Sequence, residues 1–114
     1  MSKRDPCLFL NDILEAVLRI EEYTEGYEFD DFVRDRKTID AVLRNLEIIG
    51  EAARYVPEEI KRKHADVPWR RIIGLRNVVI HHYFGVDLNI VWTIIRFQLP
   101  ELKESTEKMI RELC

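Results

Sequence analysis

Apolar residues along this chain recur at spacings of three and four rather than two, and no Asn-Gly or Asp-Gly pair marks a hairpin. With only four glycines and four prolines to interrupt it, such a chain folds as helices. The expected architecture is all-α, a four- to five-helix up-and-down bundle with mainly short connections. At 114 residues, 46% hydrophobic and 34% charged, it suits a single domain over residues 1–114 with one core.

Boundaries follow from local chemistry. Asp5 is placed to cap a first helix with Pro6 at its first position, running to about Thr24 with Leu10, Ile13, Leu14 and Val17 inward. Residues 25–31 read as a turn or short helical approach. A second long helix covers about Asp35 to Tyr55, with Ile39, Val42, Leu43, Leu46, Gly50 and Ala53 on one face. A mid-helix glycine costs about 1 kcal/mol against alanine, so Gly50 is expected to let another helix approach closely. A smaller apolar strip at Ala41, Ile48 and Ala52 lies roughly opposite, and a homodimer would supply a partner for it. Glu58 to His64 forms a short third helix before Val67-Pro68, and a fourth runs from about Pro68 to Tyr83. Gly85 breaks the chain. Asp87 then caps a fifth helix, with Val91, Ile94, Ile95, Gln98, Leu102 and Met109 on one stripe and a kink at Pro100.

The formal net charge of -3 does not advertise a nucleic-acid partner, so such a role needs a local patch. Lys61, Arg62, Lys63, Arg70, Arg71 and Arg76 provide one, against the lone acid Asp66 in that stretch; the alternative is a solvated charged face. Cys7 and Cys114 show no CxxC or Cys/His spacing, so neither a disulfide framework nor a structural metal is expected. Leu8 to Leu18 is interrupted by Asn11, Asp12 and Glu15, which is unlike a signal segment, and no run approaches the roughly 20 apolar residues of a membrane span. A reducing cytoplasm is the expected location.

On a wheel of about 100° per residue, Trp69, Ile72, Ile73, Val79 and Ile80 fall within about 60° of Arg76, which puts a cation at the centre of an apolar face. An arginine there must find a carboxylate such as Glu47 or Glu51, reach a cleft, or face a partner subunit. Asn77 lies one turn before His81 and is placed to orient its imidazole, although His82 is a neighbouring alternative. Tyr83 lies in line with Arg76, where it serves either a site or the core.

Arg76, Asn77, His81 and Tyr83 together spell R-polar-x-x-x-H-x-Y, and the chain resembles the HEPN superfamily, specifically the HepT-like toxins of type VII HEPN/MNT toxin–antitoxin systems. Ile49-Gly50-Glu51-Ala52, Val67-Pro68-Trp69, Gly85-Val86-Asp87, Val91-Trp92 and Leu99-Pro100 resemble flanking segments of that family, over about residues 5 to 113. The resemblance implies a metal-independent endoribonuclease, needing no cofactor, whose site is formed by apposed motifs of two protomers. Arg76 and His81 would be catalytic and Asn77 supporting, while Lys61, Arg62, Lys63, Arg70 and Arg71 would contact the RNA backbone. Tyr83 would accept AMP from an MNT-type nucleotidyltransferase, the antitoxin. The competing reading is a non-catalytic HEPN module that binds nucleotides or serves as a scaffold subunit of a nucleotidyltransferase complex.

Overall fold

Asp5 accepts a hydrogen bond from the Cys7 N–H at 2.9 Å, and Pro6 takes the first helical position, where its missing N–H costs nothing. From that start α1 (Pro6–Thr24) buries Leu10, Ile13, Ala16, Val17 and Ile20 along one stripe. The structure, a computed structural model, describes residues 5–82 and 87–114, the side chains of 80–82 excepted. Gly26, at φ 77°, turns the chain in a conformation that favours glycine. The short α2 (Phe29–Arg34) then seats Phe32 in the core.

Asp35 caps α3 (Arg36–Tyr55). Its carboxylate accepts from the Tyr27 hydroxyl at 2.6 Å, the Thr38 hydroxyl at 2.7 Å and the Thr38 N–H at 3.1 Å. The Tyr27 bond foremost, then those from Thr38, hold Asp35 below the usual carboxylate range, at about 2. All six residues expected on the inner face of α3 are buried, and Asn45, Ile49 and Ala52 join them. The buried arc is wider than expected because α3 is the central helix, with α1 along one side and α5 and α6 against another. Ala52 is thus covered within one chain, and Ala41 and Ile48 are half-buried. Two apolar faces on α3 therefore do not by themselves call for a second copy.

After α4 (Glu58–Lys63), the helix expected as one piece from Pro68 is two: α5 (Trp69–Ile73) and α6 (Leu75–His82). The break is at Gly74, whose N–H bonds to the Arg70 carbonyl at 3.0 Å and whose own carbonyl takes the Asn77 N–H at 2.9 Å, a tightened three-residue step. Asp87 accepts from the Asn89 N–H at 2.8 Å and opens α7 (Leu88–Thr93), as its type and place imply.

A π-helical segment, Ile94–Gln98, leads from α7 into α8 (Leu99–Leu113). It stands where a kink is expected. Pro100 has no N–H to offer the carbonyl four residues back and its ring crowds that carbonyl, so the widened turn ahead of it absorbs the mismatch. Val91, Ile94, Ile95, Leu102 and Met109 are buried as expected, with Gln98 half-buried.

The cysteines correct the sequence reading. Cys7 and Cys114 are joined by a disulfide, 107 residues apart in sequence but with Cα atoms 6.1 Å apart. Spacing along the chain is silent about this, because the pair is created by α1 and α8 packing together. Among the described residues no helix is long and apolar enough to cross a membrane.

Candidate functional site

The site begins with an absence of side chain. A Cβ built on Gly50 would lie 3.0 Å from the Arg76 nitrogen and 3.1 Å from the Ile73 carbonyl oxygen, so α3 and the α5–α6 junction touch backbone to backbone there. Only glycine permits that approach without displacement.

The next residue on α3, Glu51, meets Arg76 with Oε1 3.3 Å from Nε. That oxygen is buried and has no hydrogen-bond donor, so the contact is ionic and not well aligned. Of the acids anticipated for Arg76, the pair forms with Glu51, not Glu47. The guanidinium is nevertheless not enclosed: its side chain is 48% exposed.

This revises the expectation of an arginine centred on an apolar face. Among the described side chains, α5 and α6 bury Trp69, Ile72, Leu75 and Val79. Leu75, passed over in the wheel, lies about 100° from Arg76 and shifts the buried arc away from it. Arg76 stands at the border of that arc, its stem against α3 and its charge towards water. An exposed pair adds little stability, typically about 0–1 kcal/mol, so what Glu51 supplies is orientation.

Asn77 is exposed on α6. His81 stands one turn further along the same helix, but its side chain and that of His82 lie outside the described residues, as does Tyr83 entirely. The Asn77–His81 contact and the place of Tyr83 therefore belong to the sequence reading alone.

The basic residues divide. Lys61, Arg62, Arg70 and Arg71 line one groove with Pro68 between α4 and α5, whereas Lys63 is exposed and does not line it. Lys61 also donates to the Arg54 carbonyl at 3.2 Å and lies 5.9 Å from the centre of the Trp69 ring. Trp69 Nε1 donates to the His64 carbonyl at 3.0 Å. The two Trp69 contacts hold α4 against α5, and the Lys61–Arg54 bond ties α4 to α3.

One group escaped the sequence reading. Tyr55 is 57% exposed, stacks on Phe9 with ring centres 5.9 Å apart, and shares a groove with Glu51. An aromatic one turn after the Glu51 of α3 was the signal available.

Comparison with known proteins adds to this geometry. A family model described as ribonuclease HepT-like matches residues 13–109. A Methanocaldococcus jannaschii protein, whose name assigns it by inference as an RNase, is 42% identical over 107 residues, covering 94% of this chain and 98% of its own. A Thermococcus cleftensis protein, named by inference as ribonuclease HepT, is 45% identical over 107 residues, covering 94% and 97%. A protein of Caldanaerobacter subterraneus subsp. tengcongensis with an inferred RNase name is 38% identical over 109 residues, covering 96% and 97%. No solved structure matches.

Proposed function

The chain belongs to the ribonuclease HepT-like family, and on that premise we propose that it is a metal-independent endoribonuclease toxin acting as a homodimer, with Arg76 and His81 as its catalytic residues. The observation that carries the reading is Arg76 itself, oriented by Glu51 yet half exposed. A guanidinium held this way offers paired N–H donors to a phosphate and balances the charge that builds on it during attack. Imidazole is a suitable general base near neutral pH, and in this reading His81 takes the proton from a ribose 2'-hydroxyl. The 2'-oxygen bonds to phosphorus, the 5'-oxygen leaves and is protonated, and a 2',3'-cyclic phosphate remains. Acid and base are both required, so two copies of the motif facing each other across a twofold axis would supply the pair of histidines. Asn77 orients His81, and Lys61, Arg62, Lys63, Arg70 and Arg71 hold the RNA backbone.

A cognate MNT-type nucleotidyltransferase is the proposed antitoxin, placing AMP on Tyr83. The anionic adduct, seven residues from Arg76 on the chain, would compete with RNA for that cation. Both partners would meet in the cytoplasm.

The test uses purified protein and single-stranded RNA. His81→Ala is expected to fold and dimerise as wild type but to lose cleavage by at least about 100-fold. Wild-type activity should persist in EDTA and yield cyclic-phosphate ends. Unchanged cleavage by His81→Ala, or loss in chelator, would overturn the mechanism.

A further inference from the structure

We propose that the cavity between α5 and α8 is a purine subsite, taking one base of an RNA whose backbone lies in the basic groove. The inference rests on the ribonuclease reading above. Val67, Pro68 and Arg71 line both the cavity and that groove, so the two share a wall. A strand whose phosphates are held by Arg70 and Arg71 can turn one base over it.

The cavity has an apolar floor. Val67, Ile72, Leu75, Leu99 and Leu102 line it, and all five are buried. It holds about 270 Å³. An apolar cavity of about 150 Å³ takes benzene, so this one has room for a six-membered ring and a second ring fused to it. A pyrimidine would leave part of the floor without contacts, forfeiting burial and dispersion. The fit is to adenine or guanine.

Polar groups from the π-helical segment and α8 stand ready at its sides. Gln98 and Ser105 line the cavity half-buried, and among the described residues neither side chain has a hydrogen-bond partner. Thr24, Thr93 and Thr106 each turn the hydroxyl back to the carbonyl four residues before, whereas Ser105 makes no such bond. An amide and a hydroxyl both donate and accept. A purine edge sets accepting ring nitrogens or carbonyls beside donating amino or N–H groups, so either purine can engage the two side chains.

Charge at the mouth decides which end of a nucleotide enters. Asp66, Glu101 and Glu104 outnumber Arg71 there, and all four are exposed and without an ion pair among the described residues. On a wheel of about 100° per residue, Glu101 lies about 40° from Ser105, one turn before it, while Glu104 lies further out. Carboxylates repel a phosphate and accept from an exocyclic amine. The base goes inward, and the phosphates stay with Lys61, Arg62, Arg70 and Arg71 in the groove.

The experiment measures binding of full-length His81→Ala to four labelled oligouridines that differ only in one central base: A, G, C or U. The two purine RNAs are expected to bind at least about fourfold more tightly than the others, the transfer of about one further ring carbon. Adding Ser105→Phe, which fills the cavity, should bring all four within about twofold of one another. Ser105→Leu fills it less and serves if the larger side chain disturbs folding. Free adenosine, which has no phosphate, should shift the methyl resonances of Leu99 and Leu102 in wild type and not in Ser105→Phe. Equal affinity for the four RNAs, a purine preference that survives the filled cavity, or unmoved Leu99 and Leu102 methyls overturns the subsite while leaving the nuclease standing. A Ser105→Phe protein that sediments as monomer where wild type is a dimer also overturns it, assigning the cavity to contact between copies. Wild type that cleaves none of these RNAs while the purine preference and the adenosine shifts persist refutes the nuclease and keeps the subsite.

Discussion

Replacing Gly50 by alanine pits a local gain against a tertiary cost whose size the geometry fixes. The new methyl would stand 3.0 Å from the Arg76 nitrogen and 3.1 Å from the Ile73 oxygen, where ordinary contact begins at 3.4 Å. Both obstacles are backbone, so no side chain can swing clear and α6 must retreat from α3 by about 0.4 Å, the shortfall at the nearer atom. Alanine in mid-helix favours folding by about 1 kcal/mol, while overpacking a tight contact costs about 1–3 kcal/mol. The net is a loss of between about zero and 2 kcal/mol, readable as a lower urea midpoint. Activity should suffer more than stability. A misplacement of about 1 Å at a reacting group costs on the order of 100-fold, so about 0.4 Å at the base of Arg76 corresponds to roughly fivefold to tenfold in kcat/KM for RNA. Gly26→Ala is the control: nothing lies within 4 Å of its Cβ but its φ is +77°, so it should lose about 1–2 kcal/mol with cleavage intact. A Gly50→Ala protein that is more stable than wild type and fully active would refute the argument that backbone contact at this crossing sets Arg76.

Glu51→Gln should leave the urea midpoint within about 1 kcal/mol of wild type, since the ion pair is exposed, yet lower kcat/KM several-fold by freeing Arg76; global unfolding would instead make the pair structural. Reducing the Cys7–Cys114 bond, or replacing both cysteines by serine, should cost about 2–4 kcal/mol in urea unfolding, as expected for so long a closed loop; equal midpoints with and without reductant would contradict it. Asp35 has a folded pKa of about 2 against an ordinary 3.8, so the stability it gives is complete above pH 4 and fades as pH falls towards 2. The gap in urea midpoint between wild type and Asp35→Ala should therefore narrow from pH 6 to pH 2.5, and a constant gap would show that the carboxylate's charge is not what matters.

What the sequence disclosed was what depends on near neighbours. Asp5 and Asp87 each act through an N–H two residues away, and the caps they make stand where their types put them. Gly50 was legible because a costly residue in a good helix demands a reason in space. The errors arose where distant elements decide. The wheel over 69–83 assumed an unbroken helix and omitted Leu75, so it turned Arg76 further inward than the fold does. The Cys7–Cys114 pairing depends on how α1 and α8 pack, and the Tyr55 groove on how α1 lies against α3; neither has a signature in spacing.

With residues 7 and 114 bonded, the backbone between them is a covalent ring. One cut anywhere inside that ring liberates no fragment, so a protease acting at an exposed bond yields a nicked protein heavier only by the one water that hydrolysis adds. The damage would show as two bands only after a thiol is added to the gel sample. Surviving the first cleavage without separation of its parts is a form of durability that a melting curve does not measure.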